Sequence, residues 1–380
     1  MHPPEKEKKM KILFIGSRLF DDVSHYCKEN NITSILTESN KNAPNLEKAT
    51  KHYIVPRGME EPKKIAIKEK VDGIIPLIGI DPPLLSIAQL KEELKKENIP
   101  VLISKPKTVD ICSDKTKTKK FFQENKIPTP KSQIITKTTP LNNIQYPVVL
   151  KQGYGQGGKD IKICKNKKDI EEYFKTFNQA LCEEFIEGSE ISIEVSCWNK
   201  TYYPIAPIYK GETNLNGTHP ISRIRYGPVK IKGLNNNRII KTAENIAKKL
   251  DAEGTIDIDL IYSQKHDKIY AIEVNTRVSG TRYLSSATTG INPLTNLIKM
   301  ITGEFTKENL KKIHKKYNSL EIPIKNYNGP TPPEPLKDFT NKPYIIHGPE
   351  NYQRITIQGK TIEECFETAK KITGQDYKTE

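Results

Sequence analysis

A glycine-rich stretch, VLKQGYGQGGKDIKIC at residues 149–164, constrains the fold more than any other part of the sequence. It satisfies both the G-x-G-x-x-G pattern of dinucleotide-binding loops and the first seven positions of a P-loop. Both of those loops lead into a helix, and a P-loop also needs Ser or Thr after its lysine. Here Asp160 follows Lys159, and the next residues alternate in polarity as a strand does. The sequence therefore predicts a strand–loop–strand hairpin and excludes both familiar loops.

This glycine loop is suited to enclosing phosphate groups. Four glycines fall within six residues, more than a turn needs, although an ordinary hairpin turn is the alternative interpretation. Without Cβ atoms, glycines leave backbone N–H groups free to close over phosphate oxygens. Lys151, at the end of the preceding strand, would add positive charge. The loop is therefore predicted to be a flexible flap over a polyphosphate.

Two later strands carry oxygen-bearing side chains at every second position. Asp257 and Asp259 share one face of GTIDIDLIY, and Glu273, Asn275 and Arg277 share one face of AIEVNTR. If the strands pair as a hairpin around QKHD, these side chains converge on one patch. Hard oxygen ligands suit Mg²⁺, and an arginine beside them would meet developing negative charge. The pattern indicates a magnesium site, with the solvated face of a hairpin as the alternative.

The region before the glycine loop has a different pattern of apolar and polar residues. Over residues 11–108, the apolar runs KILFIG, ITSILTES, GIIPLIGI and IPVLIS alternate with polar helical stretches. This alternation predicts a parallel sheet with helical crossovers, as in a Rossmann-like domain. Only Gly16 follows the first strand, so the dinucleotide fingerprint is absent there.

Helix-terminus signals punctuate the rest of the chain. Ser113 or Asp114 is expected to cap a helix that closes before Pro128, and Asn292 and Gly303 bracket a helix over NPLTNLIKMITG. The predicted fold class is α/β plus α+β, in four parts. These are a Rossmann-like domain (1–108), a small lid subdomain (109–185), a large subdomain with the metal site (186–327), and a Pro-rich connector with a small αβ element (328–380).

Composition narrows the class of protein. Lys and Arg number 61 against 46 Asp and Glu, a net charge of +15, but the lysines are interspersed with glutamates as in KEELKKEN. This mixture is typical of solvated helix faces, so nucleic-acid binding is not expected. The six cysteines form no C-x-x-C pair, and no apolar run approaches the ~20 residues of a membrane helix. A cytoplasmic protein without a membrane partner is expected.

Five motifs in order give the sequence a recognisable likeness. They are SDK, YPVVLKQGYGQGGKDI, CEEFIEGSEISIEV, GTIDIDLIY and IEVNTRVSGTRYLSSATTGINP, spread from about Val109 to Gly303. With these, the chain resembles the ATP-grasp enzymes, and among them the carbamoyl-phosphate-synthetase-like and biotin-carboxylase-like members. The resemblance implies a C–N bond-forming ligase that uses ATP with Mg²⁺ or Mn²⁺, two ions being expected.

The resemblance also implies residue roles. Those near the nucleotide are the phosphate-binding Lys115 and Lys151, the lid glycines Gly153, Gly155, Gly157 and Gly158, the adenine-reading hinge Glu183, Glu184, Phe185 and Ile186, and the ribose-binding Glu190. The implied magnesium ligands are Asp257, Glu273 and Asn275, with Glu273 bridging the ions. Relatives often have Glu or Gln at the first of these positions, so Asp259 is an alternative to Asp257.

The chemistry implied for the family is attack of a carboxylate on the γ-phosphate of ATP, followed by capture of the acyl phosphate by an amine. Lys151 and Arg277 are the expected catalytic residues, and Arg277 would hold the carboxylate. The segment GETNLNGTHPISRIRYGPVKIKG is interpreted as a substrate loop in which Arg223 and Arg225 grip carboxylates, with plain surface charge as the alternative. His219 is a weaker candidate for a base.

The substrates are predicted to be amino acids or peptides. A carbamoyl-phosphate-synthetase-like activation of bicarbonate or carbamate is the first alternative, although such large chains need two halves and this sequence supplies one. A purine-biosynthetic carboxylation or formyl transfer and a nonenzymatic ATP-binding role are further alternatives. Dimers are common among the relatives, so the resemblance is compatible with a homodimer.

Overall fold

The structure, a computed structural model, describes residues 9–155, 158–216, 223–324, 339–340, 342–348 and 353–377. Three predicted features lie outside the described residues: Gly157 of the glycine loop, His219 of the substrate segment, and the Pro-rich connector over 328–335. Within the described ranges, every helix is too short or too polar to cross a bilayer.

The first region is the parallel α/β unit that the N-terminal alternation predicts. Its strands are β1 (Lys11–Ile15), β2 (Thr33–Glu38), β3 (Lys51–Ile54) and β4 (Gly73–Pro76), and its helices are α1 (Asp21–Glu29), α2 (Glu60–Glu69), α3 (Leu84–Glu93) and α4 (Pro106–Ser113). The strands pair in parallel in the order β3-β2-β1-β4. Alternate residues of β1 face opposite layers: Ile12 and Phe14 pack with α1, and Leu13 and Ile15 pack with α2 and α3.

The last strand predicted for this sheet, IPVLIS, is reduced to a single bridge between Val101 and Ile74. Ile74 N donates to Pro100 O (2.8 Å) and Leu102 N donates to Ile74 O (2.9 Å), and the pairing ends there. The chain then turns toward the next region, where the Ser104 hydroxyl donates to Glu253 O (3.0 Å). The prediction of a full strand was wrong, because Ile103 N donates to Val101 O (2.9 Å) and the backbone turns there instead of continuing the ladder.

A small antiparallel sheet contains the glycine loop. Its strands are β5 (Ser132–Thr136), β6 (Val148–Lys151), β7 (Lys162–Cys164) and β8 (Gln179–Glu184), and α5 (Lys115–Glu124) and α6 (Lys167–Tyr173) belong to the same region. The strand order is β5-β8-β6-β7. β6 and β7 pair antiparallel on either side of the glycines. The strand–loop–strand prediction is therefore confirmed.

A large sheet forms the rest of the molecule. Its strands are β9 (Ser189–Trp198), β10 (Thr201–Glu212), β11 (Arg225–Gly227), β12 (Gly254–Ser263), β13 (Lys268–Asn275), β14 (Asn318–Pro323), β15 (Tyr344–His347) and β16 (Arg354–Gly359). Its helices are α7 (Asn236–Lys249), α8 (Arg282–Thr289), α9 (Pro293–Thr302), α10 (Lys307–Ile313) and α11 (Ile362–Thr373). The strands pair antiparallel in the order β13-β12-β9-β10-β11-β14-β16-β15. The C-terminal strand predicted from the sequence is β16, which extends this sheet, and the predicted helix that follows is α11, which packs on it.

The predicted helix caps are present. Asp114 rather than Ser113 caps α5, accepting from Thr116 N at 2.7 Å. Asn292 caps α9, accepting from Leu294 N at 2.8 Å, and Gly303 follows that helix with φ +82°. These caps fix the two helices that adjoin the glycine loop and the first domain.

Asp251 forms an ion pair between the N-terminal region and the large-sheet region, and this contact is sensitive to acid. Ion pairs with Lys105 (2.6 Å) and with Lys200 lower the pKa of Asp251 from 3.8 to about 2. Because the folded-state pKa is depressed, the stabilisation is present above pH 4 or so and is lost as pH falls toward 2. We expect Asp251→Asn to lower the free energy of unfolding at pH 6 by about 0.5–1 kcal/mol, since solvent screens this half-exposed pair.

Urea unfolding of both proteins at pH 6 and at pH 2.5 measures this effect. The difference between the wild type and Asp251→Asn should shrink toward zero at the lower pH. An equal difference at both pH values would contradict the assignment.

Candidate active site

The polar face of the large sheet gathers the acidic residues singled out in the sequence. On β9, Ile191, Ile193 and Val195 are buried in the core beneath α7, and the alternate residues face the other way. Across β12 and β13, Asp257 lies opposite Asn275, and Asp259 lies opposite Glu273. Cross-strand neighbours share a face, so these four side chains converge as the hairpin pattern predicts.

The two candidate aspartates have different surroundings. The Ser192 hydroxyl donates to Asp257 Oδ1 at 2.5 Å, and Asp257 is buried. Asp259 pairs with Lys210 Nζ at 2.5 Å. Burial raises the pKa of Asp259, and the charge of Asp257 adds to this effect against the attraction of Lys210. Crowded carboxylates of this kind are relieved by a cation.

The donor set fits magnesium shared with a nucleotide. Carboxylate and amide oxygens from Asp257, Asp259, Glu273 and Asn275 are ligands that this ion prefers. Within the ranges that the structure describes, no three acidic, histidine or cysteine side chains are close enough to hold a metal by themselves. Phosphate oxygens would therefore have to complete the coordination, as is usual where Mg²⁺ binds with ATP.

Lys115 connects the glycine loop to the acidic hairpin. Its ammonium donates to Gly155 O at 2.6 Å and lies 3.6 Å from Glu273 Oε2. The Lys115 backbone N–H donates to Gly153 O at 2.8 Å, so the start of α5 lies directly against the loop. The predicted phosphate-binding lysine, the loop and the acidic hairpin thus surround one space.

Lys151 and Glu183 form a buried pair next to this space. Lys151 Nζ lies 2.7 Å from Glu183 Oε2, and Lys119 Nζ lies 3.0 Å from Glu183 Oε1. Burial favours the neutral forms, but the opposite charges prevail: the pKa of Glu183 is lowered and that of Lys151 is raised. The negative charges of Glu273 and Glu190 also raise the pKa of Lys151. Lys151 is therefore charged and close to the acidic hairpin.

The predicted hinge runs from the end of β8 to β9. Glu184 N donates to Lys131 O (2.8 Å), Phe185 N donates to Pro147 O (3.3 Å), and Ile186 is buried. Glu183 is engaged by the two lysines. An adenine edge at the hinge would therefore have to meet backbone atoms other than these two N–H groups.

The arginines of the predicted substrate loop lie against carboxylates. Arg223 Nη1 is 2.6 Å from Glu190 Oε2, the residue proposed for ribose binding. Arg225 is part of β11, because residues 225–227 pair with residues 319–321 of β14. Its Nη1 lies 3.2 Å from Glu321 Oε1, and both residues are buried. The segment is thus partly a strand, where the sequence indicated a loop.

Arg354 joins the same cluster from the C-terminal part of the chain. Its Nε lies 2.6 Å from Glu321 Oε1, and its Nη2 donates to Arg223 O at 2.5 Å. Glu321 is completely buried, which by itself would raise its pKa, but Arg354, His347 and Arg225 together hold that pKa well below its usual range. Sequence reasoning missed Arg354, since its partners are set by strand pairing far along the chain.

Arg225→Ala is expected to destabilise the protein. The change would leave Glu321 buried with fewer positive partners, and breaking a buried ion pair typically costs 3–5 kcal/mol. Because Arg354 keeps its contact with Glu321, we expect a loss of about 2–3 kcal/mol in the free energy of unfolding. Urea unfolding measures it, with Arg238→Ala as the control because that arginine makes an exposed pair with Asp267. Equal losses in the two variants would contradict the buried-cluster account.

Glu194 is a second residue that the sequence patterns did not single out. It lies opposite Asp257 on the same face of the sheet and is fully buried. Among the described residues no hydrogen bond of good geometry reaches either carboxylate oxygen, although the Ser285 side chain and the Ser279 backbone favour the charged form. Burial, assisted by the charge of Asp257, raises the pKa of Glu194 to about 8. Glu194 therefore adds a buried carboxyl group with a raised pKa beside the acidic hairpin.

A separate cleft of about 610 Å³ lies near the stacked rings of Tyr209 and Tyr226. Its other lining residues include Glu212, Lys230 and Lys265. Six of its lining residues belong to the segment interpreted as a substrate loop, but none of the individually predicted nucleotide, metal or substrate residues lines it. The convergent charges at the acidic hairpin make that face the better candidate for chemistry, since a site is defined by its reacting groups rather than its volume.

A glycine-rich hairpin, paired lysines and an acidic hairpin on a neighbouring sheet define the class: this is the architecture of an ATP-grasp protein. The family model described as ATP-grasp domain matches residues 112–281, and the model described as PylC-like, N-terminal domain matches residues 12–102. The chain is 51% identical over 358 residues to a Methanobrevibacter smithii protein named carbamoyl-phosphate synthase, covering 93% of this chain and 98% of that protein. It therefore belongs to the ATP-grasp ligases of the carbamoyl-phosphate-synthase-like family.

More distant relatives are much longer. The carbamoyl phosphate synthase large chain of Helicobacter pylori strain 26695 is 27% identical over 346 residues, which are 84% of this chain and 31% of the large chain. The chain thus spans about a third of the length of such large chains.

Solved structures share the whole fold. Biotin carboxylase from Campylobacter jejuni superposes with a TM-score of 0.75 at 18% identity, covering 97% of this chain and 91% of that one. L-amino acid ligase from Bacillus licheniformis superposes with a TM-score of 0.72 at 19% identity, covering 97% and 98%. At such identities the likeness is one of fold, and the ATP-dependent ligase class follows from the family.

Proposed function

We propose that this ligase activates a carboxylate as an acyl phosphate and joins it to an amine, with an amino acid or a peptide as substrate. One observation carries the proposal: the Lys115 ammonium lies 2.6 Å from Gly155 O and 3.6 Å from Glu273 Oε2. The glycine loop and the acidic hairpin therefore border a common space. A triphosphate with divalent cations would satisfy the donors of the first and the carboxylates of the second.

In this proposal each side of the space has its own role. Lys115 and Lys151 bind the phosphates, and the glycine N–H groups close over them. Asp257 or Asp259, with Glu273 and Asn275, would hold magnesium or manganese. The bound ion would neutralise the phosphates and polarise the transferred phosphoryl group.

The proposed reaction has two steps. A carboxylate oxygen attacks the γ-phosphorus while the bond to the leaving oxygen of ADP breaks, giving an acyl phosphate. The amine nitrogen then attacks the acyl carbon, the bond from that carbon to the phosphate oxygen breaks, and the amine proton passes to phosphate or solvent. Arg277 binds the carboxylate and then the tetrahedral oxyanion, and the closed loop excludes water.

The cationic groups beside the acidic hairpin support an anionic substrate. Four cationic side chains lie on neighbouring strands or next to them. Lys210 pairs with Asp259, Arg223 pairs with Glu190, and both Arg225 and Arg354 pair with Glu321. This concentration of lysine and arginine side chains favours a substrate that carries a carboxylate, because arginine binds carboxylates in a bidentate fork.

A second candidate function is the activation of bicarbonate or carbamate. The relative from Methanobrevibacter smithii favours it, because that protein is named carbamoyl-phosphate synthase and matches along almost its entire length. The same phosphate site would serve both reactions, since bicarbonate also attacks through an oxygen atom. The two candidates differ only in the acceptor and donor that the cationic groups select.

A phosphate-release screen tests the proposal. The full chain is incubated with Mg·ATP and single amino acids, dipeptides, or bicarbonate with and without ammonia, and products are identified by mass spectrometry. Carboxylate substrates labelled with ¹⁸O should transfer one ¹⁸O atom to the released phosphate. Release that depends on amino acids or dipeptides supports the proposal, and release that depends on bicarbonate alone supports the second candidate. Phosphate without ¹⁸O from labelled carboxylate substrates would contradict the proposal, and phosphate without ¹⁸O from freshly dissolved ¹⁸O-labelled bicarbonate would contradict the second candidate.

A further inference from the structure

The N-terminal domain contributes an acidic residue to the proposed active site. Asp81 lies in the loop between β4 and α3, and its Oδ1 is 2.5 Å from Nε of Arg277. Arg277 follows the end of β13 and is largely buried, with 14% of its side chain exposed. This contact spans 196 residues of sequence and joins the first domain directly to the arginine proposed for the carboxylate.

The loop that holds Asp81 is stiff and well placed. It leaves the carboxyl end of β4 in the parallel sheet, the edge at which ligands approach such sheets. Pro82 and Pro83 follow Asp81, so the backbone there is restricted, and Asp81 O accepts from Leu84 N at 3.0 Å. The carboxylate is therefore presented to Arg277 from a constrained backbone.

Arg277 is oriented from two sides. Asp81 engages Nε, and Nη2 donates to Asn275 Oδ1 at 3.3 Å. Asn275 is itself one of the proposed metal ligands, so the guanidinium lies between the first domain and the acidic hairpin. Nη1 also lies 3.5 Å from Val278 O, and a planar guanidinium held at several of its donors keeps a defined direction.

Docking of the two domains does not depend on Asp81. Lys91 in α3 pairs with Glu253 at 2.5 Å, and Asp22 in α1 pairs with Arg282 at 2.6 Å. Residues of the first sheet and of α9 also share one apolar core. Since these contacts already fix the domains, a purely structural role for Asp81 explains little of its position.

We propose that Asp81 is a positioning residue that holds Arg277 in the orientation in which it meets the substrate carboxylate and the oxyanion. The inference rests on the proposed function, because it takes Arg277 as the carboxylate-binding residue. Asp81 touches neither substrate nor nucleotide in this account. Its loss should therefore slow turnover without weakening nucleotide binding.

The test compares Asp81→Asn, Asp81→Glu and a control, Glu253→Gln, which removes a charge from another contact between the domains. Phosphate release is measured with the compounds of the screen, MgADP affinity by calorimetry, and the Arg277 Nε–Hε group by NMR of ¹⁵N-arginine-labelled protein. In Asp81→Asn we expect turnover to fall about 10–100-fold, since misplacement by about 1 Å costs this much. MgADP affinity should stay within about threefold, and the Arg277 Nε–Hε proton should shift and exchange faster with solvent.

Asp81→Glu should recover part of the lost turnover, and Glu253→Gln should leave turnover unchanged. Wild-type turnover in Asp81→Asn, an unchanged Arg277 resonance, or a parallel loss of MgADP affinity would each overturn the inference. Full turnover in Arg277→Ala would also overturn the inference, because Arg277 would then not be the carboxylate-binding residue. The proposed function fails separately, if no compound in the screen supports phosphate release; an unchanged Arg277 resonance in Asp81→Asn would even then overturn the inference.

Discussion

Replacing Glu273 by Gln should reduce ATP-dependent phosphate release about a thousandfold, the loss expected when several kcal/mol of charge stabilisation disappear. Glu273 faces Asp259 across the acidic hairpin and lies 3.6 Å from the Lys115 ammonium. Glutamine keeps the shape of the side chain but removes the charge that a divalent cation needs. Because 32% of the Glu273 side chain is exposed, folding should depend little on it. A coupled phosphate-release assay and a thermal melt on the same preparation measure both effects.

The matched control is Glu244→Gln on α7, where the exposed glutamate pairs with Lys307 at 3.1 Å. That variant should keep both turnover and melting temperature. If Glu273→Gln retained turnover within a few-fold of the wild type, the acidic hairpin would not be the metal site.

Lys151→Met should abolish turnover and also destabilise the protein. Lys151 and Lys119 both contact Glu183, of which only 3% of the side chain is exposed. Removing Lys151 leaves the buried Glu183 carboxylate with one of its two ion pairs, so the free energy of unfolding should fall by about 2–3 kcal/mol. Loss of a cation beside the transferred phosphoryl group should lower turnover about a thousandfold.

A triple variant separates the two effects. Lys119→Met, Lys151→Met and Glu183→Met together remove every charge of the buried cluster, so the stability should largely return while turnover stays low. Urea unfolding and phosphate release on Lys151→Met and on the triple variant measure this. A triple variant as unstable as Lys151→Met would contradict the buried-pair account, and near-wild-type turnover in either variant would contradict the phosphate role of Lys151.

Short-range patterns predicted the parts of this molecule that local chemistry determines. The alternation of DIKIC identified β7 and hence the hairpin on which the glycine loop lies. The spacing of Asp257, Asp259, Glu273 and Asn275 placed four oxygen donors on one face, and the observed register brings them together. Both predictions depended only on the two-residue period of a strand and on a short connection between neighbours.

Contacts between distant parts of the chain could not be predicted in this way. Arg225 meets Glu321 across 96 residues, and Arg277 meets Asp81 across 196 residues. IPVLIS has the composition of a strand, yet it makes one bridge and then turns toward Glu253 of the next region. In each case the outcome depends on how sheets pack against one another, which the residues adjacent in sequence do not determine.

The central claim is that the glycine loop and the acidic hairpin bind one triphosphate through divalent ions. A crystal structure of the full chain with Mn²⁺ and a nonhydrolysable ATP analogue tests it most directly, because anomalous scattering locates the ions. We predict that the phosphates lie between Gly153–Gly158 and β13, with Lys115 and Lys151 on them and Mn²⁺ on Glu273 and Asn275. A nucleotide bound away from the acidic hairpin, or Mn²⁺ bound without contact to the phosphates, would contradict the account.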